Sequence, residues 1–295
     1  IQGILWPEDT VLDEATGFAV SGDILVSAQN AKEKVIVPER ITTIGAFAFS
    51  EKEIDIKLPN TITRISSWAF DNAVIGNLDL TDWKTADFYN VMSVNEVASY
   101  SIDVFWVADE QFNRVNMIDL WDAFWNYDGK GMVYPESAKV DNDFVVWEKN
   151  GKTRLIEYIG TEETVTIPEG IEEIYTDAFC YAEGIKTIIF PESLEVLFEE
   201  CCCLDTVEEY VFNGKNVPKV MATDFQGEEY EIGDAYYALD NSSLENIYVP
   251  LESYGDYMYK FWFFESYISV RGYEPVADEN GFTIVDGILV EYSGP

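Results

Sequence analysis

The chain has 295 residues, enough for two domains or for one elongated one. It carries 55 acidic and 18 basic residues, a formal charge of 18 − 55 = −37, and no histidine. Those counts exclude a basic stripe for nucleic acid or for an anionic membrane surface, and they exclude every triad, Cys–His pair or metal site built on imidazole. A hydrophobic fraction of 47% and an aromatic fraction of 15% nevertheless argue for a folded chain with a real core.

In chain order, the sequence opens at Ile1 with neither a Met nor a basic and apolar leader, as expected of a mature or trimmed chain. No apolar run reaches the roughly 18 residues of a membrane-crossing helix. GFAVSGDILVSAQ (Gly17–Gln29) reads as a hairpin. VIVPERITTIGAFAF (Val35–Phe49) follows and recurs as IKLPNTITRISSWAF (Ile56–Phe70). Pro38 and Pro59, Ile41 and Ile62, Ile44 and Ile65, and Phe49 and Phe70 are each 21 residues apart. Thr81–Ala138 breaks this pattern and is rich in large rings, among them Trp83, Phe105, Trp106, Trp121, Trp125, Tyr127 and Tyr134. One or two helices are expected there, for example over Met117–Asn126. The favoured reading of the segment is a set of degenerate repeats with a larger core. A sugar-stacking surface and a protein-binding patch are its rivals.

The hairpin pattern returns in Asp143–Gly160. It leads into VTIPEGIEEIYTDAF (Val165–Phe179) and IIFPESLEVLFEECC (Ile188–Cys202), whose Pro168/Pro191, Ile171/Leu194, Ile174/Leu197 and Phe179/Cys202 are each 23 apart. Within one unit, Val165 and Ile167 alternate as a short strand that Pro168 ends for want of an N–H. Gly170 permits a turn, Ile171 and Ile174 form a second apolar edge, and Asp177-Ala178-Phe179 reads as one turn of helix with Phe179 inward. A unit of this size cannot fold alone. Its five or so large apolar residues bring about 1.5–3 kcal/mol each on burial, while ordering the backbone costs about 1–2 kcal/mol per residue. Only stacked units bury both open faces, so the sequence predicts a solenoid.

FNGKNVPKV (Phe212–Val220) is irregular, and LENIYVPLESYGDYMYKFW (Leu244–Trp262) reads as a strand followed by an amphipathic helix. Tyr254, Tyr257, Phe261 and Phe264 share one face of that helix, as a terminal cap requires. Arg271–Glu279 reads as a linker, and GFTIVDGILVEYSG (Gly281–Gly294) as a third hairpin of the same kind. Either the natural chain continues beyond it, or this end docks on the solenoid in place of a missing unit. The expected division is therefore a solenoid over 1–270, with an irregular aromatic segment at 81–140 and a cap at 244–270, then linker and opening hairpin over 271–295.

The pattern V-x-I-P-x-x-[IV]-x-x-I-x-x-x-A-F at a 23-residue period resembles the BspA-like leucine-rich repeats of bacterial surface proteins, and Asp177–Pro191 aligns to that family without gaps. The resemblance implies a right-handed leucine-rich-repeat solenoid, β-rich with short helices and α/β in broad class. It implies a non-catalytic, extracellular or cell-surface module that adheres to a host or neighbouring-cell macromolecule. A carbohydrate-binding or polysaccharide-acting protein and a structural spacer are the alternatives.

No residue stands out as catalytic, and no P-loop, dinucleotide fingerprint or G-x-S-x-G occurs. Adjacent carboxylates such as Glu172/Glu173 and Glu199/Glu200 read as solvated repeat positions. Cys180 and Cys201–Cys203 lack the spacing of a zinc site and are expected to be buried thiols. Asp141-Asn142-Asp143 and Asp128-Gly129 hint at calcium without completing a binding loop. No cofactor or metal is expected, and the acidic surface favours a monomer. The residues expected to bind a protein or glycan are Trp106, Trp121, Trp125, Tyr127, Lys186 and Thr187, with Lys34 and Thr166 also on the exposed strand face. Glu169, Glu172, Glu173, Glu192, Glu195 and Glu199 should point outward.

Overall fold

The computed structural model describes residues 6–83, 100–113, 116–118, 120, 130–224, 227–261, 268–274, 277–278, 280–285 and 288–292. They divide into two compact units, Ile1–Ser137 with Phe225–Gly227, and Ala138–Asp224 with Glu228–Pro295.

In the first unit the strands are β1 (Val11–Asp13), β2 (Phe18–Ser21), β3 (Ile24–Ser27), β4 (Lys34–Ile36), β5 (Thr43–Ile44), β6 (Glu53–Lys57), β7 (Arg64–Ile65), β8 (Val74–Leu80), β9 (Ser101–Val107) and β10 (Met132–Pro135). They form two sheets, ordered β1-β2-β3-β5-β7 and β10-β9-β8-β6-β4. Each repeat gives its V-x-I strand to one sheet and its I-x-x-I edge to the other. Neighbouring copies then pair in parallel, Val35 with Ile56 and Ile44 with Ile65. Ile41, Ile44 and Phe49 are fully buried between the sheets. Phe18, Phe49, Phe70 and Tyr100 form a row of rings at 6.5, 5.6 and 6.3 Å. The second unit follows the same plan with β11 (Lys139–Asp141), β12 (Phe144–Lys149), β13 (Lys152–Tyr158), β14 (Thr164–Thr166), β15 (Glu173–Ile174), β16 (Thr187–Phe190), β17 (Val196–Phe198), β18 (Glu209–Phe212), β19 (Lys219–Thr223), β20 (Glu229–Glu231), β21 (Asn246–Pro250), β22 (Ser269–Tyr273), β23 (Phe282–Val285) and β24 (Ile288–Tyr292). Its sheets run β11-β12-β13-β15-β17-β19-β20 and β14-β16-β18-β21-β22, with β23 and β24 as a separate pair. The fold is a leucine-rich-repeat solenoid.

The segment before each buried Phe is not a helical turn, contrary to the expectation for Asp177–Phe179. Phe47, Trp68, Asp177 and Glu200, which occupy one slot in four repeats, all have left-handed backbone, with φ of 61°, 66°, 61° and 60°. The amides explain why. Phe47, Phe49 and Glu51 donate to Trp68, Ala69 and Asp71 of the next coil at 2.8–2.9 Å. The amides between them, Ala48, Ser50 and Lys52, donate back three residues at 3.2 Å. A helix would send every amide along its own axis. Here alternate amides hold neighbouring coils together instead. The φ of +93° at Gly170 matches the expected turn, where glycine carries no steric cost.

Asn116–Ile118 and Leu120 are helical, and the rest of the expected Met117–Asn126 helix lies outside the described residues. The cap helix spans Tyr254–Lys260, with Tyr257 and Phe261 fully buried against Phe212; Phe264 lies outside the described residues. Arg271–Tyr273, expected to start a linker, extend the ladder as the end of β22. The hydroxyl of Tyr273 donates to the Phe212 carbonyl at 3.1 Å.

The three hairpins share a detail finer than their sequence pattern. Each has a register shift at the equivalent step, between Ala19 and Val20, Val145 and Val146, and Thr283 and Ile284. In the first two, the equivalent Leu25 and Leu155 pair with Ile44 and Ile174 of the following repeat and are fully buried. In the third, Ile284, Leu289 and Tyr292 are exposed, while Thr283 is buried.

Candidate functional site

Parallel pairing lines up outward side chains in rows across the β10-β9-β8-β6-β4 sheet. One row is Ile36, Lys57, Asp79 and Trp106, and it ends on the buried Tyr134. The next is Lys34, Asp55, Asn77 and Val104, and it ends on the buried Met132. The alternate residues Val35, Ile56, Leu78 and Phe105 are buried. A bulge interrupts the pairing of β6 with β8, where Ile54 faces Ile75 but Ile56 faces Leu78. Gly76 and Asn77 together therefore oppose Asp55, and a bulge of this kind re-aims a side chain. A Cβ at Gly76 would lie 2.9 Å from Asp55 Oδ1, so a larger residue there would push the Asp55 carboxylate aside.

The re-aimed Asn77 joins two partners. Its Nδ2 donates to Asp55 Oδ1 at 3.0 Å, and its Oδ1 accepts from Trp106 Nε1 at 2.8 Å. Tyr134 meets the Trp106 ring edge-on at 5.3 Å. Lys57 donates to Thr81 Oγ1 and pairs with Asp79 and Asp82 at 3.5 and 3.2 Å. Burial acts to lower the pKa of Lys57, and the two carboxylates outweigh it, so the group is held above its ordinary value. Lys34, which is exposed, makes no ion pair among the described residues. These side chains surround a groove of about 340 Å³. It offers a fixed indole, an amide, two carboxylates and two ammonium groups. Concave sites that mix a ring with a few polar groups are the usual form of ligand pockets.

The second unit differs. On the β14-β16-β18-β21-β22 sheet the outward Ile189, Val211 and Tyr248 are buried with Tyr273 in a cluster of their own. All four side chains of β16 are buried, which overturns the expected exposure of Thr187; its Oγ1 lies 3.5 Å from Glu209. Lys186 is exposed and paired with Glu208. Lys34 and Thr166 are exposed as expected. Trp106 lies in the groove, while Trp121, Trp125 and Tyr127 lie outside the described residues.

On the other sheet of this unit sits a cluster that sequence reading missed. Arg154 is almost fully buried, with its guanidinium 4.5 Å from the Phe198 ring centroid and 4.9 Å from that of Tyr175. It pairs with Glu173 at 2.6 Å and with Glu229 at 3.1 Å. Burial alone would lower the pKa of Arg154 and raise that of Glu229. Their attraction reverses both shifts. The lone Arg in an alternating strand was the available signal.

Cys201 and Cys202 are buried as expected, but Cys180 and Cys203 are exposed, in a hollow with Asp177, Glu200, Tyr237 and Asp240. Burial of the sulfur atoms pushes both up, helped by carboxylates at Cys180 and by Cys201 and then carboxylates at Cys203, which reaches about 12, so neither is a ready thiolate. Among the described residues no three His, Cys, Asp or Glu side chains are grouped to hold a metal. Asp141-Asn142-Asp143 is a tight hairpin turn, with Asn142 at a φ of 52° and its amide on Asp141. Asp128-Gly129 lies outside the described residues.

A search of curated proteins gave no match. Two solved structures show a loose likeness. A leucine rich cell surface protein from Faecalibacterium prausnitzii A2-165 is 12% identical, over 91% of this chain and 95% of that one, with a TM-score of 0.27. The pneumococcal vaccine antigen PcpA is also 12% identical, over 90% of this chain and 98% of that one, with a TM-score of 0.22. The BspA type leucine rich repeat region matches in six copies, over residues 28–105 and 157–268. The match covers more than half of the sequence and falls on the stacked repeats of both units, and the chain therefore belongs to the BspA type leucine rich repeat family.

Proposed function

We propose that this chain is a non-catalytic binding module working outside the cell or at its surface, and that it adheres to a host or neighbouring-cell macromolecule through the outward face of β4, β6, β8 and β9. The observation that carries the reading is the pair of open rows across that sheet. They present Ile36, Lys57, Asp79 and Trp106 beside Lys34, Asp55 and Asn77, while the core beneath is made of other residues. Outward positions of a solenoid change without disturbing its core, which suits recognition. The test is an array of extracellular-matrix proteins and glycans, exposed in parallel to the native chain and to the Trp106→Ala and Lys34→Glu variants. Spots bound by the native chain and lost with both variants support the reading. A uniformly blank array, or hits that both variants retain, contradicts it.

A further inference from the structure

Resting on that reading of the face, we propose that the groove around Trp106 takes an uncharged pyranose unit of a glycan. Four features carry this. First, the indole is held in place before any ligand arrives, by the 2.8 Å bond to Asn77 and by the edge of Tyr134. The half-buried ring lines the groove, and a ring fixed in this way can stack on the C–H groups of a sugar at little entropic cost. Second, the polar groups beside it match hydroxyls. Asp55 and Asp79 accept, Lys34 donates, and Asn77 holds Asp55 and Trp106 in one geometry. Short, rigidly placed acceptors close to an aromatic ring orient a ligand whose polar groups lie around its rim.

Third, the charge lining the groove is close to balanced. Lys34 and Lys57 stand against Asp55 and Asp79, with Asp82 also paired to Lys57, in a chain of net charge −37. Fourth, the surroundings are acidic. Glu33, Glu53 and Asp103 line the next hollow on the same sheet. Carboxylates on the same face repel a polyanion, the more so at low salt. A neutral sugar fits the fixed ring and the acceptors around it, and the basic peptide in the titration below tests the other chemistry that an acidic face attracts. The groove volume, about 340 Å³, accepts a ligand of one or two rings.

The test is calorimetric titration of the full chain with neutral gluco-, manno-, galacto- and xylo-oligosaccharides, beside a polyuronate and a basic peptide, at about 50 and about 500 mM NaCl. The expected result is binding to at least one neutral oligosaccharide with affinity unchanged between the two salt concentrations. Trp106→Ala should weaken it by about tenfold or more, and Asn77→Ala by a smaller factor. Trp106→Phe keeps a ring while losing the bond to Asn77, and it should retain most of the affinity if the variants are folded. No binding by any neutral sugar, or salt-sensitive binding of only the polyuronate or the peptide, overturns the proposal. In that case array hits on proteins that Trp106→Ala abolishes would still leave the binding face standing, so the two failures are separable.

Discussion

The two units are built from the same repeat, yet they differ in the middle of their outward rows, open at Lys57, Asp79 and Trp106 in the first and closed at Ile189, Val211 and Tyr248 in the second. In the first, Ile36 is 67% exposed and the groove beside it is open. In the second, the outward Ile189, Val211 and Tyr248 are buried, and on the other sheet Arg154 is buried beneath its two more open carboxylate partners, Glu173 and Glu229. Alternation along a strand fixes which residues face the core. It does not decide whether the other face is left in water. One unit therefore keeps a surface that can bind, and the other spends the equivalent positions on its own stability.

The largest expected effect tests that contrast in energy. Replacing Arg154 with Ala strips Glu173 and Glu229 of their buried partner and should cost the second unit about 3 kcal/mol in a denaturant titration. Lys57→Ala in the first unit, where the ion pairs are half-open, should cost about 1 kcal/mol or less. Equal losses would show that the two clusters do not differ as described.

A pH series sharpens the same point. The pKa of Glu229 is depressed in the folded chain, so its contribution is complete above its unfolded value of 4.5 and is lost as pH falls through the lower folded value. The stability gap between the native chain and Glu229→Gln should close over that acid range and stay constant above it. A gap that stays constant throughout would mean that Glu229 is not held by Arg154. Salt acts on the whole chain, since −37 charges repel one another. Raising NaCl from about 50 to about 500 mM should lift the melting temperature by about 2–4 °C. An unchanged melting temperature would remove self-repulsion from the account. The smallest effect belongs to the left-handed slot. Asp177→Gly relieves its backbone and should stabilise by about 0.5 kcal/mol, whereas the same change at Thr166 on a strand should destabilise.

The repeats, the hairpins and the cap were legible because burial forces Ile, Phe and Pro into fixed spacings. The left-handed slot was not, because Phe47, Trp68, Asp177 and Glu200 share no chemistry and the backbone geometry comes from the neighbouring coil. Trp106 was singled out as one ring among many. Its connection to Asn77 depends on one extra residue in β8, which shifts the pairing by a step that no repeat period announces. Thr187 failed for a related reason, since what covers the outward row is set by other parts of the unit. Arg154 was visible as a residue, but Glu229 lies 75 positions away and reaches it only through the turn into β20.

Hydroxyl-radical footprinting of the native chain tests the contrast between the faces most directly. Ile36 and Trp106 should be labelled readily, and Ile189, Val211 and Tyr248 should be protected until the second unit unfolds. Comparable labelling of the two sets in the folded chain would contradict the account.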